Sequence, residues 1–200
     1  MIYKRFFILL PLILVIGCAS PLKQIKDPNK PFERPSYSVL PPPGDGWIYA
    51  DQNQVGIFNL AFGKKFDSPT HTLSGLVVEI HSSAQFENPE EFLNYIKKSK
   101  ELDADPRRFK MFEDEFNLYP KFGEYSVKYS SASEDYGAAN KGNDPFLILK
   151  LYGYIFIHPN FENVIIDISY SERGKVSEID PDFKTTAKKF IEGIKLKREE

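Results

Sequence analysis

The chain has 200 residues, with 26 Lys and Arg against 28 Asp and Glu, and a single cysteine. This near-balanced charge excludes the strongly basic footprint of a nucleic-acid binder, and one cysteine excludes a disulfide framework, a thiolate zinc site and an iron–sulfur cluster. Past the N-terminal segments about 155 residues remain, enough for one hydrophobic core, so residues 44–200 are read as a single domain.

The N-terminus is the most specific stretch. Lys4 and Arg5 form a small positive region, and residues 6–16 are all apolar, with Pro11 among them. Such a run rises about 16 Å as a helix, against a hydrocarbon core of about 30 Å. It therefore reads as the apolar region of a signal peptide rather than a membrane span. It ends in Val15-Ile16-Gly17-Cys18. This order of aliphatic, variable, small and Cys residues resembles the bacterial lipobox.

The resemblance implies that residues 1–17 are a lipoprotein signal peptide, cleaved before Cys18. It also implies that the Cys18 sulfur carries a thioether-linked diacylglycerol and that its freed amino group is acylated. A thiol is the nucleophile this chemistry needs. Several acyl chains at about 0.8 kcal/mol per buried methylene make a durable anchor. Ala19 follows, not Asp, which by the same resemblance implies the outer membrane, facing the periplasm, in a Gram-negative cell. In a Gram-positive cell it implies the outer face of the plasma membrane. The alternative for the stretch is a secretory signal with an incidental cysteine. Removal of Lys4 and Arg5 takes the net charge from −2 to −4.

Residues 18–43 hold Pro21, Pro28, Pro31, Pro35, Pro41, Pro42 and Pro43 and show no apolar period. Proline removes amide donors and extends its neighbours, so a semi-extended tether without helix or inner strand is expected.

The domain is expected to begin at the turn Gly44-Asp45-Gly46. Residues 47–50 and 55–62 then form a hairpin, with Asp51-Gln52-Asn53 as its turn. Residues 72–81 alternate as a strand. A helix follows: Asn88 caps it, Pro89 opens it, Glu90 and Glu91 face the positive end of its dipole, and Phe92, Leu93 and Ile96 form its buried stripe. Asp105-Pro106 stops it. Residues 109–118 and a half-exposed strand carrying Tyr125, Val127 and Tyr129 come next. Residues 146–158 and 164–170, apolar on both faces, are read as central strands. The last helix carries Phe183, Ala187, Phe190 and Ile191 on one face and ends at Gly193, before a short edge strand, Ile194-Lys195-Leu196.

Runs of adjacent strands predict an α+β fold, a mostly antiparallel sheet with two helices packed on it. The Trp47 hairpin, the single mid-chain helix and the terminal helix leading into Ile194-Lys195-Leu196 resemble the PsbP-like α/β/α sandwich. That is a resemblance of layout across residues 44–197.

Chemistry-bearing patterns are few. His71, His81 and His158 lack metal-ligand spacing, and no nucleophile elbow, phosphate loop or dinucleotide fingerprint follows a strand. No cofactor and no metal are expected. Glu113-Asp114-Glu115 could suggest a calcium or acid/base pair, but on a strand Glu113 and Glu115 share one face and Asp114 opposes them, so a solvated face is the default reading. The pointed polar cluster is Ser171-Glu172-Arg173-Gly174, at the end of a central strand. One reading pairs Glu172 with a cation and Arg173 with an anion, with His158 nearby. The other is a charged turn holding a surface Glu–Arg pair. Tyr125, Tyr129, Tyr152 and Tyr154 are read as core, with an exposed aromatic platform as the alternative. Together these point to a lipid-anchored envelope domain that binds or scaffolds without catalysis, facing the membrane and a possible envelope protein partner. The alternatives are a hydrolase of an envelope substrate, using carboxylates such as Glu172, and a carrier of a small hydrophobic ligand.

Overall fold

The computed structural model describes residues 22–198. Cys18 and the lipobox lie outside the described residues. Eight strands form one sheet: β1 (Lys23–Gln24), β4 (Ile48–Gln54), β5 (Ile57–Lys65), β6 (Thr72–His81), β10 (Val164–Gly174), β9 (Leu147–Ile157), β8 (Ser126–Asp135) and β7 (Phe109–Leu118), in that spatial order. Every neighbouring pair is antiparallel. The sheet is two meanders. The first, β4-β5-β6, ends in the middle. Helix α1 (Pro89–Asp103) then carries the chain to the far edge, and β7-β8-β9-β10 step back until β10 lies beside β6.

The expected α+β architecture is present, with a helix on each face. Along β10, Ile166, Ile168 and Tyr170 join one core with Phe183, Ala187, Phe190 and Ile191 of α2 (Phe183–Glu192). Ile165 points the other way, into a smaller core with Phe92, Leu93 and Ile96 of α1, and with Val127, Tyr129 and Ile155. The period-2 alternation of strands divides one sequence between two cores. The cap of α1 forms as its sequence predicts: Asn88 Oδ1 accepts the Glu91 amide at 2.9 Å, and Pro89 opens the helix. Among the described residues no helix is long and apolar enough to cross a membrane.

The expected tether is corrected over residues 22–43. Strand β3 (Tyr37–Val39) is the central strand of a second sheet, between β2 (Phe32–Glu33) and β11 (Ile194–Leu196). Tyr37 and Val39 are fully buried in the α2-side core. The prolines flank β3 and leave its own amides free to pair, so proline punctuates the segment without preventing a strand. Pro42 packs where Gly75 of β6 has no side chain; a Cβ there would meet Pro42 Cγ at 2.8 Å and Phe190 Cζ at 3.1 Å.

Two smaller expectations also change. The first hairpin turns at Val55-Gly56, where Gly56 takes φ 75°, and Asp51-Gln52-Asn53 lie within β4. β4 is covered on its outer side only by two-residue β1, so its far half tolerates polar residues. Strand β8 is buried along both faces, not half-exposed.

Candidate functional site

The residues singled out in sequence do not converge. Glu172 and Arg173 sit inside β10 rather than in a turn, and as neighbours on a strand they face opposite sides of the sheet. Glu172 is 1 % exposed. It accepts a bond from His71 Nε2 at 2.7 Å and another from the Asp180 amide at 3.1 Å, which ties the chain before α2 to the sheet. His71 stacks on Phe66 at 4.1 Å between ring centroids. The surface Glu–Arg pair is therefore corrected.

Arg173 lies on the α1 face, 3.7 Å from Asp135, and its Nε is buried without a partner. Asp135 is already held by Arg108, whose Nε and Nη2 donate at 2.8 and 2.9 Å. Burial alone would raise the Asp135 pKa, but these bonds outweigh it and hold the carboxyl below its usual range.

His158 is at the other end of the strand pair. Glu172 is opposite Lys150, whereas His158 follows Ile157, which is opposite Ile165. Seven residues of strand, roughly 24 Å, separate the two positions. Its proximity to Glu172 is thus corrected. His158 Nε2 donates to the Ser36 carbonyl at 2.9 Å and Nδ1 accepts the Asn160 amide at 3.1 Å, so both ring nitrogens are engaged. Burial lowers its pKa and favours the neutral ring. Tyr129, Tyr152 and Tyr154 are buried, Tyr129 on the face opposite the other two.

The arrangement that does converge is on the α1 face. Helix α1 covers only part of that face, and a groove of about 460 Å³ opens between its C-terminal turn and the sheet. The floor follows the strand register. One row across the sheet is Phe116, Tyr129, Gly153 and Ser169; the next is Asp114, Ser131, Leu151 and Ser171; the third is Met111, Ser133, Leu149 and Arg173. Serines occupy places where core side chains would fill the space, so the helix has nothing to pack on there. Lys100, Glu101, Asp103 and Ala104 of α1 and its C-terminal edge form the opposite wall.

A polar network braces the closed end. Lys100 Nζ donates to Asp167 Oδ2 at 2.7 Å, and Tyr129 OH donates to Asp167 Oδ1 at 2.5 Å. The Lys100 ammonium also lies 4.7 Å from the centre of the Tyr129 ring. Burial lowers the Lys100 pKa, but Asp167 and Tyr129 more than reverse this and keep the ammonium charged well above the usual lysine range. Burial, reinforced by Asp167, raises Tyr129 and keeps its proton. Asp167 is 5 % exposed, and Lys100 and Tyr129 are the partners of its carboxylate oxygens.

Gly153 makes the network possible. It lies directly opposite Tyr129 in the register, and a Cβ there would fall 2.6 Å from the tyrosine Cζ and Oη. The bare glycine lets the ring lie across β9 and reach Asp167 on β10.

No protein-family model and no curated protein matches this chain.

Chemically, the groove is a recess with an apolar and hydroxyl floor, a neutralised internal ion pair and an acidic wall. Its volume lies in the range of small-molecule sites, about 300–1,000 Å³. Among the described residues no group of three or more His, Cys, Asp or Glu is placed to hold a metal ion. Sequence reasoning singled out Ser171, which lines the groove, but missed Lys100, Asp167, Gly153, Ser131 and Ser133. Two signals were present: a glycine inside an otherwise apolar strand, which marks close approach, and the alternation Asp167, Ser169, Ser171 within a strand that is apolar on its other face.

Proposed function

We propose that this chain is an exported lipoprotein of the cell envelope, anchored through Cys18, whose domain binds a small, largely apolar molecule without transforming it. One observation carries the binding reading: the groove of about 460 Å³ beside α1, floored by Phe116, Leu149, Leu151 and serines that leave it open. The lipobox residues and the charged, apolar start of the chain support the anchor. Five residues from Cys18 to Lys23 reach at most about 18 Å, so the fold is held close to the bilayer rather than on a long spacer. Ala19 after Cys18 favours the outer membrane, facing the periplasm, in a Gram-negative cell, and the same anchor means the outer face of the plasma membrane in a Gram-positive one. The helices on opposite sheet faces and the run of α2 into β11 support a PsbP-like sandwich.

Two measurements test this reading. Full-length protein from membranes binds the neutral probe 2-(2-naphthyl)ethanol at one site, and Ser171→Phe, which fills the groove from its exposed side, abolishes binding while the thermal midpoint holds. Equal binding by the filled variant contradicts the groove. Cys18→Ala loses lipid labelling and membrane attachment; retention of both contradicts the anchor.

A further inference from the structure

The anchor and the fold meet at one edge of the large sheet. β1 is the outermost strand there and pairs antiparallel with β4, Lys23 opposite Tyr49 and Gln24 opposite Ile48. Cys18 lies at most about 18 Å from Lys23. The other edge strand, β7, is seven strand spacings away, roughly 34 Å. The acyl chains are therefore confined to the β1 side. β1 also runs away from the Val55-Gly56 turn, which lies about 20 Å along β4 from Tyr49. That turn is within the same range of Lys23 as the anchor itself.

Charge divides the molecule along the same axis. Lys23, Lys26 and Lys30 are exposed, and Asp27 is the one acid among residues 22–30. The chain passes the start of β4 here, where the Ile25 amide donates to the Trp47 carbonyl at 3.1 Å. The nearby Arg34 and Lys197 are taken up by Asp51 and Glu33. Among the described residues no ion pair engages the three lysines. β7 has the opposite sign, with Glu113, Asp114 and Glu115 against Lys110. At a Debye length of about 8 Å in physiological salt, the two edges meet a charged surface independently.

We propose that the β1–β4 edge, from the turn at residues 27–30 to Val55, lies on the surface of the anchoring membrane, with its lysines on anionic phospholipid headgroups. This rests on the Cys18 anchor. Lysines beside such a surface are attracted to it, and the β7 carboxylates are repelled. Leu22 and Val55, exposed apolar side chains on this edge, face the same boundary. The groove floor on β7, β8 and β9 then stands roughly 24–34 Å across the sheet from β1. It opens to water, so its ligand arrives from solution rather than from the bilayer.

The test uses the full chain, whose one native thiol is consumed by the lipid, so that an added cysteine is the only labelling site. Val55→Cys, Asn29→Cys and Phe112→Cys are each labelled with bimane. They are incorporated into vesicles of phosphatidylcholine and phosphatidylglycerol that carry a headgroup nitroxide. Emission is lost at Val55 and Asn29 and kept at Phe112, the exposed apolar residue of the far edge. Lys23→Gln/Lys26→Gln/Lys30→Gln lowers the ratio of docked to undocked orientations on the order of a hundredfold. Emission at both edge positions then returns, although the chain still floats with the vesicles. Loss at Phe112 equal to that at Val55, loss at only one of the two edge positions, or loss that survives the lysine substitutions overturns the proposal while the anchor stands. A chain that does not float with the vesicles overturns both.

Discussion

Gly153→Ala is the sharpest perturbation of the groove's architecture. The new Cβ would sit 2.6 Å from Tyr129 Cζ and Oη and 2.8 Å from the Ile168 carbonyl oxygen. The carbonyl belongs to the adjacent central strand β10 and has nowhere to go, so the tyrosine ring must move by about 1 Å to reach ordinary contact. That shift breaks the bond from Tyr129 to Asp167, now 2.5 Å. Overpacking a core typically costs about 1–3 kcal/mol, and loss of a hydrogen bond to a charged group about 1.5–3 kcal/mol. The combined cost is roughly 3–5 kcal/mol, and for a domain of this size the midpoint falls by about 6–20 °C. Urea denaturation and thermal melting followed by circular dichroism measure it. Gly153→Ala/Tyr129→Leu removes the ring clash but not the carbonyl contact, so it recovers only part of the loss. A Gly153→Ala protein within about 0.5 kcal/mol of the native one would refute the reasoning.

Lys100→Met leaves Asp167 buried with only the tyrosine hydroxyl for company, and destabilisation of about 3 kcal/mol is expected by the same denaturation assay. Lys100→Met/Asp167→Leu removes both charges and regains most of that loss; a double variant worse than the single one contradicts this account of the pair. Glu178 gives a pH signature. Burial would raise its pKa, but bonds from Ser68, the Lys175 amide and Thr70 hold it down at about 2. A depressed carboxyl stabilises the fold above its unfolded pKa of about 4.3, and that contribution is lost as pH falls from there towards 2. Glu178→Gln therefore flattens the acid limb of stability between about pH 4.5 and 2; an unchanged limb refutes the role.

Strands with strict alternation and one clear cap were legible in the residues. The bounds of β6 and β7, and the start of α1 at Asn88-Pro89, follow from period and capping chemistry alone. Burial on the second face was not legible where side chains are small. Ser126 on β8 read as solvent-facing, and Ser131, Ser133 and Ser169 drew no reading, because a polar alternation looks alike whether it meets water or a groove beneath a helix. The proline-rich stretch misled for a different reason: three proline-free residues, Tyr37-Ser38-Val39, are enough for a central strand when a distant β11 supplies the partner. Pairing between residues so far apart in sequence leaves no local trace. The polar cluster at Glu172 was visible, but its partner His71 is a hundred residues away and could not be chosen over His158 from sequence.

The most direct test of the groove as a ligand site is an amide NMR titration of the protein with 2-(2-naphthyl)ethanol. The account predicts saturable shifts confined to the floor around Ser131, Ser133, Leu149, Leu151 and Ser171, and to the last turn of α1 at Lys100–Asp103. Shifts that fail to saturate, or that map to the α2 face around Phe183 and Ile191, would contradict it.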